Sequence, residues 1–170
     1  LEFLIFCAAR SGEVREATWA EVDFQEGIWT VPPERMKAGK EHRVPLSKQA
    51  IALLRAQPRI ENCPYIFPGR KLGPLSDMSL SKVMRDMGVD AVPHGFRSSF
   101  RDWVGDETTY PRELAEQALA HVLESKVEAA YRRRDALEKR RKMMEEWSLY
   151  CCPPKEKVAR PYTGRLTMPR

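Results

Sequence analysis

One β-rich run set between helical runs constrains this chain more than any other feature. Residues 22 to 47, "VDFQEGIWTVPPERMKAGKEHRVPLS", hold three short stretches, "VDF", "IWTVP" and "HRVPL", separated by turn residues. Each stretch is rich in β-branched or aromatic side chains, which suit a pleated, half-buried surface. The spacing predicts a three-stranded antiparallel sheet whose second hairpin carries "KAGK" near its tip.

The remainder reads as helix and loop. "LEFLIFCAAR" and "SGEVREATWAEV" give two helices with a break near Ser11 and Gly12, Ser11 serving as N-cap. Ser47 caps "KQAIALLRAQ", whose apolar residues recur at helical spacing. Residues 57 to 78, with Pro58, Pro64, Pro68, Pro74, Gly69 and Gly73, read as a long loop around "YIFPG". "SLSKVMRDMGV" and "HGFRSSFRDWVGDE" are helices, and "PRELAEQALAH" begins with proline at a helix start. Ser125 with Glu128, and Asp135 with Glu138, have capping-box spacing. They predict a short helix bearing Tyr131 that hands over to "DALEKRRKMMEEWSLY". The fold class is therefore mainly α with a small antiparallel three-stranded sheet. Residues 1–150 form one domain, and residues 151–170, rich in proline, lysine and arginine, form an extended arm.

Charge narrows the function. The net charge is +5 with a pI near 9.1, which favours a polyanionic partner. Between Arg132 and Lys142 seven basic residues face two acidic ones. Four cysteines, Cys7, Cys63, Cys151 and Cys152, show neither CxxC spacing nor a disulfide framework, which fits a reducing cytoplasm. No metal or cofactor is expected. No apolar run approaches transmembrane length, and the opening lacks the basic start of a signal peptide. It reads as a helix already under way, with upstream residues missing.

Four short motifs carry possible chemistry. "PHGFRSSF" puts His94 and Arg97 three apart, on one helix face, where they can grip a phosphate. HxxR pairs also arise by chance, so this pair alone decides little. Arg10 ends an apolar helix with Glu13 three residues on, either a structural ion pair or an arginine preset for an anion. Lys37 or Lys40 near the hairpin tip is an ordinary solvated turn residue or a lysine able to protonate a leaving alkoxide. Tyr131 follows two alanines and precedes Arg132, Arg133 and Arg134. It is either a packed helix residue beside a solvated basic face or a nucleophile.

The order of these motifs resembles the catalytic domain of the tyrosine recombinases, or phage-type integrases. "AARSGEVREATWAEVDF", "RMKAGKEHRVPLS", "HGFRSSFRDW" and "LAHVLESKVEAAYRRRDALEKRRKMMEEW" each look like the subgroup carried by prophages and genomic islands of bacteria. The resemblance covers about residues 1 to 150 and implies the DNA breaking-rejoining fold. It implies Arg10 as the first catalytic arginine and Glu13 as its support. Lys37 would be the hairpin lysine, preferred over Lys40 on this ground alone. His94 and Arg97 would be the central pair, His121 the later histidine and Tyr131 the nucleophile. Lys40, Arg132, Arg133 and Arg134 would contact DNA. It further implies site-specific integration through a 3′-phosphotyrosyl intermediate, without a metal or other cofactor. The partners would be a double-stranded DNA attachment site, accessory DNA-bending proteins and further copies of the chain. These would form a tetramer on DNA, from a monomer or weak dimer in isolation. The setting would be the bacterial cytoplasm and nucleoid, with no membrane. The family carries upstream DNA-binding domains, which are expected to be missing here together with the start of the first helix. A type IB topoisomerase shares the active-site plan, and a DNA-binding fragment of the same fold would shift DNA without becoming attached to it.

Overall fold

Helix α1 (Glu2–Cys7) lies between two packed clusters, and the rest of the chain is arranged around it. The computed structural model describes residues 1–121 and 136–153. On one side Phe3 and Leu4 pack with Trp29, Val31, Val44 and Leu54, and the Phe3 ring sits 5.1 Å from that of Trp29. On the other side Phe100, Trp103, Leu114, Met143, Met144 and Trp147 form a second cluster, and Ile5 touches both. Trp147 Nε1 donates to the Ile5 carbonyl at 2.7 Å, so the second cluster is also tied to α1 by a buried indole.

The sheet is the predicted one. β1 (Val22–Asp23), β2 (Ile28–Val31) and β3 (His42–Pro45) pair antiparallel in that order, with Trp29 opposite Val22 and Val44. Gly27 closes the first turn at φ +63°, a conformation that favours glycine. Ser47 accepts from the Ala50 N–H at 3.2 Å and so caps α3 (Lys48–Ala56), as its position predicts. Residues 57–78 hold none of the named helices or strands, but they are not loose. Trp19 N–H donates to the Pro64 carbonyl and Ile66 N–H to that of Ala17, both at 2.9 Å. Arg15 donates to the Leu75 carbonyl at 2.6 Å and pairs with Asp77.

The C-terminal half is helical: α4 (Ser79–Asp86), α5 (Gly95–Glu107), α6 (Arg112–Ala118) and α7 (Leu137–Cys151). Helix α7 clips the two halves together. Arg140 donates to the Arg43 carbonyl at 2.8 Å, and Glu145 accepts from the Lys48 N–H at 2.9 Å, at the start of α3. Among the described residues no helix is long and apolar enough to cross a membrane.

Three local expectations are corrected. The N-cap of α2 (Ser11–Arg15) is Arg10, not Ser11, because the Glu13 carboxylate takes the Arg10 N–H and starts the helix one residue earlier. Pro111 precedes α6 as its N-cap, with ψ 140°, so the first helical residue is Arg112. Helix α7 takes Ala136 as its N-cap, one residue beyond Asp135. Asp135 itself, the Ser125–Glu128 spacing and the short helix expected to bear Tyr131 lie outside the described residues, as does the arm beyond residue 153.

Candidate active site

The site begins where α1 stops. Ala8 adopts a left-handed conformation, φ 47° and ψ 34°, its N–H bonding to the Ile5 carbonyl and that of Ala9 to the Leu4 carbonyl. This is a Schellman turn with alanine where glycine is usual, at a cost of about 1 kcal/mol. The turn reverses the chain and delivers Arg10 in extended conformation. The Glu13 carboxylate then takes both the Arg10 N–H and its guanidinium, each at 2.8 Å. Glu13 is 4% exposed and the Arg10 side chain 26%, so a buried carboxylate holds a partly accessible arginine. Arg35 Nη1 donates to the Glu13 carbonyl at 3.0 Å, and Arg35 pairs with Glu21, which also accepts from Trp29 Nε1 at 2.9 Å. The sheet is thereby locked to the turn that carries Arg10.

Arg97 enters from α5, only 4% exposed. Its Nη1 donates to the Ala8 carbonyl and its Nη2 to that of Leu119, both at 2.6 Å. The guanidinium thus bridges the C-terminal ends of α1 and α6, where unpaired carbonyls carry partial negative charge. Burial, followed by the charge of Arg10, pushes Arg97 down to about 10, and it stays cationic at neutral pH. Two guanidiniums on separate elements are close enough to perturb each other.

His121 arrives through a second left-handed alanine. Ala120 has φ 50°, its N–H bonds to the Gln117 carbonyl and the His121 N–H to that of Glu116, repeating the geometry that ends α1. His121 Nε2 lies 3.2 Å from Arg97 Nη2, and Nδ1 lies 2.5 Å from Glu116 Oε2. Glu116, 6% exposed, is paired through Oε1 with Arg101 at 3.1 Å and Arg112 at 3.7 Å. Burial alone would raise its carboxyl, but the His121 hydrogen bond and the charges of Arg101, His121 and Arg112 bring it below the usual carboxylate range.

The structure therefore brings Arg10, Glu13, Arg97 and His121 together. His94 is the exposed N-cap of α5, and its carbonyl accepts from the Arg97 N–H at 3.1 Å. Lys37 and Lys40 are exposed on either side of Gly39 in the β2–β3 connection, and no contact joins them to the four central residues. Tyr131, Arg132, Arg133 and Arg134 lie outside the described residues.

Two residues at this site carry no signal of their own in the sequence. Glu116 stands five residues before His121, a spacing that shares no helix face, and reaches it only because Ala120 turns the chain back. His42 looks like a lone histidine opening a strand, yet its Nε2 lies 3.1 Å from the Ala118 carbonyl. Burial, then the Arg140 charge with a smaller push from Arg97, takes His42 down to about 4, against an ordinary 6.5. The imidazole is therefore neutral in the fold at pH 7. Because its folded value is depressed, the unfolded chain takes up a proton first, and stability falls as pH drops from 6.5 toward 4. The expected loss is at most about 3 kcal/mol. Urea unfolding at a series of pH values checks this, and His42→Gln, which keeps a donor for the Ala118 carbonyl, is expected to flatten the profile in that window.

A family model described as "Phage integrase family" matches residues 1–138. The chain is similar to Prophage integrase IntA of Escherichia coli (strain K12), 37% identical over 144 residues, covering 82% of this chain and 35% of that protein. It is similar to the integrase of Enterobacteria phage P4, 33% identical over 161 residues, covering 83% of this chain and 37% of that protein. It spans less than half the length of these relatives. Among solved structures, the integrase from mycobacterium phage Brujita superposes with a TM-score of 0.67 at 20% identity, covering 86% of this chain and 50% of the other. XerA recombinase superposes with a TM-score of 0.60 at 19% identity, covering 90% of this chain and 55% of the other.

Proposed function

Because this chain belongs to the phage integrase family, we propose that it is the catalytic part of a tyrosine site-specific recombinase, cutting and resealing DNA through a covalent bond to Tyr131. The observation that carries the reading is the convergence of Arg10 and Arg97 on one site, each held by its own buried partners. Two guanidiniums placed together against their mutual repulsion suit a shared anion, and guanidinium forks match the oxygens of a phosphate.

A backbone phosphodiester resists attack because its charge repels nucleophiles and its alkoxide leaves poorly. Arg10 and Arg97 would neutralise the non-bridging oxygens, the task a metal ion performs in other phosphoryl-transfer sites. His121 would add a hydrogen bond to the same phosphate. An unperturbed tyrosine is only about one-thousandth ionised at pH 7. His94 would take the phenolic proton as Tyr131 attacks phosphorus. The bond to the 5′ oxygen then breaks, Lys37 supplies the proton that oxygen needs, and the 3′ phosphate stays on Tyr131. Attack by another strand's 5′ hydroxyl reverses the step and reseals the backbone without ATP. Lys40 and Arg132 to Arg134 would hold the DNA backbone, setting position but not sequence. The full assembly would be a tetramer on an attachment site of a prophage or genomic island, in the bacterial cytoplasm at the nucleoid. Accessory DNA-bending proteins would assist it, and residues 151–170 would form an arm at the end of the catalytic domain.

The test is trapping on a nicked "suicide" duplex, read by denaturing gel. A covalent band that forms equally well in EDTA is the expected result. A salt-sensitive shift with no covalent band would reduce the chain to a DNA-binding module.

A further inference from the structure

His121 has two ring nitrogens, and each faces a partner that can play one role only. Arg97 Nη2, 3.2 Å from Nε2, is a donor and has no lone pair to offer. A neutral ring must therefore present a bare Nε2 to it. The Glu116 carboxylate, 2.5 Å from Nδ1, is an acceptor, so Nδ1 must carry the proton. The opposite tautomer would set N–H against N–H on one side and lone pair against carboxylate on the other. Both contacts thus select the same form independently. Glu116 is itself almost wholly buried, and the charges of Arg101 and Arg112 lie beside its other oxygen.

We propose that Glu116 is a positioning residue that locks His121 as the Nδ1–H tautomer and aims its Nε2 at Arg97 and at the phosphate Arg97 would bind. The carboxylate then has a second use. When an anion approaches, Nε2 can take up a solvent proton and turn from acceptor to donor without rotating the ring, because Glu116 supports the resulting imidazolium through Nδ1–H. The part of this inference that concerns rate rests on the strand-cleavage reading above, whereas the part that concerns the tautomer does not.

Long-range ¹H–¹⁵N correlation spectra of the full chain, free of DNA, test the tautomer directly. Wild type is expected to show Nδ1 protonated and Nε2 bare in the neutral form of the ring. Glu116→Ala leaves only the Arg97 contact to select the form, and it is expected to add a population protonated on Nε2. A wild-type His121 carrying its proton on Nε2 overturns the proposal, and so does a folded Glu116→Ala protein that keeps the Nδ1–H form as fully as wild type. Should the alanine variant fail to fold, the wild-type spectrum still decides. On the nicked duplex, Glu116→Gln is expected to slow covalent trapping on the order of tenfold, the scale of losing an outer partner of a functional histidine. An unchanged rate would confine Glu116 to a structural role. A wild type with no covalent band would count against the cleavage reading and leave the spectroscopic result standing.

Discussion

The expected result for Tyr131→Phe is loss of covalent attachment to a nicked duplex, down to background, with DNA binding retained. Phenylalanine keeps the ring and removes only the oxygen, so the side chain's bulk is kept and the attacking atom is gone. The other groups of the proposed site do not take its place: Arg10 and Arg97 have no nucleophilic lone pair, the imidazole of His121 is engaged on both nitrogens, and His94 and Lys37 are assigned to proton transfer. Binding depends instead on the basic residues, and the salt dependence of the gel shift reads their number. The variant is therefore expected to shift the duplex with the same salt slope as wild type. A covalent band surviving in Tyr131→Phe would remove this residue from the nucleophile's role. Retained binding beside lost attachment would separate chemistry from docking in a single experiment, which loss of an arginine cannot do.

The sequence carries this fold mainly where one local rule acts alone. The strands of residues 22–47 announce themselves because β-branched residues alternate with turn residues, and Ser47 caps α3 by an ordinary hydroxyl-to-amide bond. The rules mislead where a side chain competes with them. Ser11 looks like the N-cap, but the carboxylate of Glu13 satisfies the preceding N–H and shifts the boundary to Arg10. The central residues Arg10, Arg97 and His121 are legible only as a set, through the order of motifs, because each pair alone has a commonplace structural explanation. What gathers them is less legible still. Ala8 and Ala120 both take left-handed conformations that glycine would announce and alanine conceals. Those two turns present the Ala8 and Leu119 carbonyls to Arg97 and fold Glu116 back on His121. Glu13 apart, the residues that hold the site lie one step beyond the motifs, where no spacing rule reaches.

Arg97 is where stability and chemistry meet, and its substitution is expected to show both. Arg97→Ala leaves the buried Ala8 and Leu119 carbonyls without their donor and removes the cation between two helix C-termini. Each stranded acceptor costs about 1–3 kcal/mol, so a total loss of about 2–6 kcal/mol in urea unfolding is expected. That loss confuses any activity measurement, and Arg97→Lys resolves it. A lysine ammonium keeps the charge and can satisfy one carbonyl, so most of the fold is expected to survive at the temperature of the assay. It lacks the planar fork that spans two carbonyls while still facing a phosphate. Single-turnover trapping by Arg97→Lys is therefore expected to fall on the order of 10²–10³, the scale of losing one donor to a developing anion. A stable Arg97→Lys protein that trapped DNA at the wild-type rate would show Arg97 to be a strut between α1 and α6. The phosphate would then have to be held by Arg10 and His121 without it.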